Sequence, residues 1–159
     1  MFGLVVALPL SVLLAIFVHL IPAGYTASLY SPHYLLLVML FWLGRHPQSC
    51  GLTCAAWLGL IADLLFGGWL GQQMLMFVLL GFLLLGLGRV LLKPTLFQQA
   101  LIAVVFVMLA KFWQLGWARV DGADVAVLPA LISGLLSGLL WPVIAVLLDK
   151  FYDSGAIRE

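Results

Sequence analysis

Residues 51–71 read GLTCAAWLGLIADLLFGGWLG, and Gly51, Ala55, Gly59, Asp63, Gly67 and Gly71 fall at every fourth position. On a helix, residues four apart share a face. The run therefore sets a strip of near-bare backbone interrupted by a single carboxylate. Leu, Ile, Ala, Trp and Phe make up most of what surrounds the strip. In hydrocarbon, small residues mark where a second helix comes close, and a lone Asp is costly unless something meets it. The stretch reads as the packing seam of a membrane protein.

The rest of the chain agrees. Of its 159 residues, 65% are hydrophobic and only 8% are charged, against about 25% charged in soluble domains. Net charge is +1, and the Lys and Arg are spread out. No basic patch forms, so nucleic acid is not an expected partner. Apolar runs at 2–21, 32–46, 51–67, 70–88, 97–117 and 125–148 predict an all-α, polytopic transmembrane helical bundle of six spans in a single domain. The N-terminal run lacks a basic leader and reads as a retained first helix. A count of five stays open, because 32–46 would rise only ~23 Å as a helix. Such a span must sit shallow, thin the bilayer or be shielded by neighbours. Ser31 is expected to cap it with Pro32 at its first position, and Asp124 to cap the last span, which Pro129 and Pro142 bend. With six spans, Arg45, Arg89, Lys93, Lys150 and Arg158 share one side and Arg119 lies opposite. Basic loops stay cytoplasmic, which puts both termini inside.

Two further small-residue faces stand at Ala7, Ser11 and Ala15 and at Ala130, Gly134 and Gly138. Each suits either internal helix contact or a partner helix. Asp63 and Lys111 are the ionisable groups within spans, at similar depths of about 18 and 21 Å from one membrane face. They could pair, with Gln114 beside them, or each could snorkel to the nearer headgroups. His46, Cys50 and Cys54 stack at successive turns. They could make a three-ligand metal site, but such Cys more often act as small hydrophobes. A second membrane carboxylate, H-E-x-x-H, a P-loop and a G-x-S-G motif are all missing. The expected protein is not an enzyme and carries no cofactor or metal.

The order of features resembles the family of the rod shape-determining protein MreD. Pro32 opens the second span, Phe41-Trp42 ends it and Pro47 follows. Gly59, Asp63, Gly67, Leu70 and Gly71 match the signature G-x3-D-x3-G-x2-L-G, and Trp141-Pro142 matches the last span. The resemblance implies a bacterial inner-membrane scaffold of the Rod elongation machinery without catalytic activity. It would bind the span of MreC and link MreB to RodA and penicillin-binding protein 2, in contact with membrane lipids and with scope for self-association. It also implies a fold similar to the substrate-binding subunits of energy-coupling-factor transporters. Lys111 has no counterpart in that signature. The alternative is a small-molecule or lipid binding or transport subunit, with Asp63, Lys111, Gln114 and Trp113 facing a ligand among the later spans.

Overall fold

The computed structural model describes residues 2–20, 30–66, 69–90, 95–123 and 126–156. These form six helices and no strand: α1 Phe2–Leu20, α2 Tyr34–Arg45, α3 Pro47–Phe66, α4 Gln72–Val90, α5 Leu96–Val120 and α6 Leu128–Ala156. Stretches within α3, α5 and α6 are each long and apolar enough to cross a membrane. Shorter apolar stretches lie in the others, at Ala7–Leu20, Tyr34–Arg45 and Gln72–Gly88.

The shortest helix is the centre. Every residue of α2 from Leu35 to Leu43 is buried, and α2 packs against all five other helices. A helix that is apolar all round needs cover all round. Twelve residues rise only ~18 Å, yet encased by longer helices α2 has no need to match the lipid. Of the expected ways to accommodate so short an apolar run, cover by neighbouring helices is the one seen. The organising element is thus α2, not the seam on α3.

Two hairpins, α3–α4 and α5–α6, pack closely along their length, and α1 lies across α6 and α2. Trp42 Nε1 donates to Ser11 Oγ at 2.9 Å, and that hydroxyl donates to the Leu8 carbonyl at 2.7 Å. The Ala7, Ser11 and Ala15 face is therefore buried inside the bundle. At one end Arg45 pairs with Asp149, and Tyr152 packs on His46 and Trp42, with ring centroids 4.8 and 6.1 Å away. These contacts hold α6 helical well past Leu148, where the apolar run ends.

Two local expectations change. α3 begins at Pro47, a favourable first helical residue, and kinks at Gly51 (φ −9°, ψ −168°). Ser31 does not cap α2: His33 holds the N-cap position, and the Ser31 carbonyl instead accepts from Ser133 Oγ at 2.7 Å. Pro142 lies inside α6, whereas Asp124 falls outside the described residues, as do Pro22, Gly67, Lys93, Pro94 and Arg158.

Candidate functional site

Asp63 sits near the end of α3, with the first turn of α4 folded back onto it. Its Oδ1 accepts from the Gln73 N–H at 2.7 Å, and its Oδ2 accepts from the N–H groups of Gly71 and Met74 at 3.0 and 3.1 Å. The Gln72 N–H reaches the Trp69 carbonyl at 3.1 Å, and the Leu75 N–H starts the regular helical ladder on Gly71 at 2.9 Å. Every donor that a helix start leaves open is thereby met. In a bilayer no water can substitute for such partners. The carboxylate also faces the positive end of the α4 dipole. One buried side chain (6% exposed) closes a whole helix terminus.

Two glycines make this geometry available. An added Cβ at Gly59 would lie 2.5 Å from the Met74 Cα and 3.0 Å from Gln73 O and Met74 N. Here α3 meets the main chain of α4, which cannot step aside. Gly71 has φ +95°, a left-handed conformation that glycine adopts without strain, and it turns the chain so that its N–H points back at Asp63. Ala55 completes the contact strip: it is fully buried and would lie 3.1 Å from a Cβ at Gly81 of α4. Gly51 does not belong to the strip, because nothing lies within 4 Å of its would-be Cβ.

From Gln73 a polar chain crosses the bundle. The Gln114 amide nitrogen donates to Gln73 Oε1 at 3.4 Å and lies 3.3 Å from His33 Nε2. Gln73 and His33 are buried, and the His33 ring stands 5.7 Å from that of Phe77. Together with the 3.3 Å bond from Trp69 Nε1 to Asp121 Oδ1, these links join the α3–α4 hairpin to α5, which it otherwise barely touches.

The pairing of Asp63 with Lys111 does not form. Both carboxylate oxygens are taken by α4 backbone donors, and Lys111 has no ion-pair partner among the described residues. Gln114 does reach the Asp63 region, through Gln73. Trp113 packs on the hydrophobic core and edge-on to Trp117, 6.3 Å away. His46 faces Trp42 and Tyr152, and among the described residues no cluster of three His, Cys, Asp or Glu could hold a metal. Of the other signature residues, Pro32 precedes the His33 cap, Trp42 and Trp141 are buried, Leu70 is exposed, and Gly67 is outside the described residues.

His33 and Gln73 are the members that residue reading missed. His33 lies at a span end, where solvated or capping roles dominate; it holds the N-cap position of α2, and packing buries it there. The only trace of Gln73 in the sequence is its place two residues after Gly71, in the first turn of a helix.

The third small-residue face is also internal. A Cβ at Gly134 would meet Met108 Cγ at 2.5 Å, and one at Gly138 would run into Val104 Cγ2. The α5–α6 hairpin closes on these glycines. No solved structure matches the chain. The model of one protein family, described as rod shape-determining protein MreD, matches residues 1–151. With an all-helical bundle, an apolar composition and nearly the whole length matched, the chain belongs to the MreD family, a membrane protein family of the rod-shape-determining system.

Proposed function

We propose that this protein is a non-enzymatic, six-span scaffold of the Rod elongation complex in the bacterial inner membrane, with both termini cytoplasmic. In this reading it holds the transmembrane helix of MreC and helps couple MreB filaments to RodA and penicillin-binding protein 2. The observation that carries the proposal is the family match over residues 1–151. The packing refines it. Ala7, Ser11 and Ala15, the Ala55–Gly59–Asp63 part of the α3 face, and Ala130, Gly134 and Gly138 all face the inside of the bundle, so the glycine seam on α3 serves the scaffold's own rigidity, and a partner helix docks on the outer surface. A likeness to the substrate-binding subunits of energy-coupling-factor transporters remains part of this proposal, as a fold without their transport role.

Purification of a tagged copy from detergent-solubilised membranes is the direct test. MreC and the cell-wall synthases should come with it. Their absence under conditions that keep the bundle folded would remove the scaffold reading. Cysteine cross-linking along the exposed faces of α1 and α5 would then locate the partner. Cross-links from Leu13 or Leu101, both well exposed, are compatible with outer-surface docking; efficient ones from Gly59 are not.

A further inference from the structure

The face of α3 that points away from the glycine seam carries a pattern of its own. Thr53, Trp57, Leu60 and Leu64 follow one another at intervals of four, three and four residues, the spacing of a helix-pairing seam. Thr53, Trp57 and Leu64 are exposed on the outside of the bundle, Trp57 by 67%, and Leu60 is half-buried. Their depth is set by α4. Gly81 stands against Ala55 and Leu52 of α3, and it is the midpoint of α4, nine residues from Gln72 and nine from Val90. At 1.5 Å per residue α4 is ~27 Å long, against ~30 Å of hydrocarbon. Thr53 and Trp57 lie two residues either side of Ala55, so both sit within ~3 Å of mid-depth.

Tryptophan belongs at the membrane surface, where its N–H finds water or headgroups. The Trp57 indole is instead ~10 Å or more from either end of α4, farther than the side chain reaches. Among the described residues its N–H meets no acceptor. Acyl chains have none to offer, and an unmet donor in hydrocarbon is costly. The cover for this face is therefore protein with an acceptor at mid-depth, and the face itself carries one. The Thr53 hydroxyl, one turn before Trp57, keeps acceptor lone pairs even when its hydrogen bonds back to the helix. Helical side chains lean toward the N-terminus, which brings the indole to the level of Thr53. We propose that two copies of this chain pair through their outward α3 faces about a two-fold axis along the membrane normal, the Trp57 N–H of each donating to the Thr53 hydroxyl of the other. Both copies insert the same way, so the helices run parallel and the contact is reciprocal. Leu60 and Leu64 extend the seam. The pairing goes beyond the scaffold reading and takes from it only that α3 and α4 cross the bilayer.

The experiment is Förster transfer between donor- and acceptor-labelled copies of the purified chain in phosphatidylcholine vesicles, read as the protein-to-lipid ratio is varied. Wild type should follow a monomer–dimer equilibrium. Trp57→Phe keeps an aromatic ring and loses the N–H, and Thr53→Val keeps the shape and loses the hydroxyl. Each should weaken pairing roughly tenfold, the worth of two interhelical hydrogen bonds in lipid. The double variant should be no weaker than either single one, because all three lack the same pair of bonds. Thr53→Ser should pair like wild type. These side chains face outward, so Tm in detergent should stay where it is in every variant. Wild type that is monomeric at every ratio would overturn the proposal, including the case in which a separate transmembrane helix is found to take the Trp57 face instead. Undiminished dimers in both Trp57→Phe and Thr53→Val would overturn it too, since the interface would then lie elsewhere. Cys54, next to Thr53, should resist a membrane-impermeant maleimide in the same vesicles. Its modification would put this face in water and overturn the spanning reading together with the pairing.

Discussion

The two hairpins beside α2 use glycine for the same purpose and reach different degrees of rigidity. In α3–α4, Gly59 faces the Met74 backbone, and the closed turn is fastened by the Asp63 carboxylate. In α5–α6, Gly134 and Gly138 face the side chains of Met108 and Val104. A side chain can rotate away from an intruding methyl group, and methionine does so most readily. A helix backbone cannot. The signature glycines therefore mark the less forgiving of two similar seams, and Asp63 makes that seam also the better fastened one.

Substitutions along the two seams sharpen the contrast. The largest effect belongs to Gly59→Leu, which should leave no folded, monodisperse protein in detergent, because four extra carbons would have to fit where one already clashes with main chain. Gly59→Ala should cost about 3 kcal/mol, the upper part of the overpacking range, read as a fall in Tm or in the denaturant midpoint. Asp63→Ala should cost about 2–3 kcal/mol, since it strips a helix cap and leaves buried N–H groups unmet. Asp63→Asn should retain part of that, because the amide oxygen still accepts. If Asp63→Ala were neutral, α4 would not depend on its cap and the contrast between the hairpins would fail.

In the other hairpin the expected losses are smaller. Gly138→Ala meets the stiff, β-branched Val104 and should cost about 1–2 kcal/mol. Gly134→Ala meets flexible Met108 and should cost less than about 1 kcal/mol. A reversal of this order, with Gly134→Ala worse than Gly59→Ala, would break the distinction between backbone and side-chain seams. Smallest of all, Arg45→Ala removes an ion pair whose side chains are 47% and 40% exposed. It should change Tm little, by about 0–1 kcal/mol of stability, with any larger loss tracing to Arg45 over the Phe41 ring.

Much of the Asp63 site could be read along the chain. Gly59 and Asp63 lie four apart on α3, and Gly71 follows within a short connection, so local spacing alone suggested close approach and a tight turn. What met Asp63 could not be read. A charged residue among apolar ones called for an opposite charge, and Lys111 stood at a similar depth. The partners turned out to be three main-chain N–H groups, which every sequence contains and none displays. His33 and Gln73 were illegible for a related reason, since their burial depends on α5 and α4 arriving from elsewhere in the chain. Likewise small-residue faces more often make internal helix contacts than partner sites, and which use each one has was settled only where helices close on Ala7, Ser11 and Ala15, on Ala55 and Gly59, and on Gly134 and Gly138.

Composition and periodicity by themselves determined that the chain is a bundle of apolar helices and where most of its close contacts lie. Those features are local: hydropathy is a property of each residue, and helical faces follow from spacing alone. Tertiary structure decided that the short second helix is the core, and that Asp63 fastens α4 rather than pairing with Lys111. Each of these depends on which helix lies beside which. Apolar side chains on a uniformly apolar chain carry little information about that choice, and the packing of five helices around α2 supplies it.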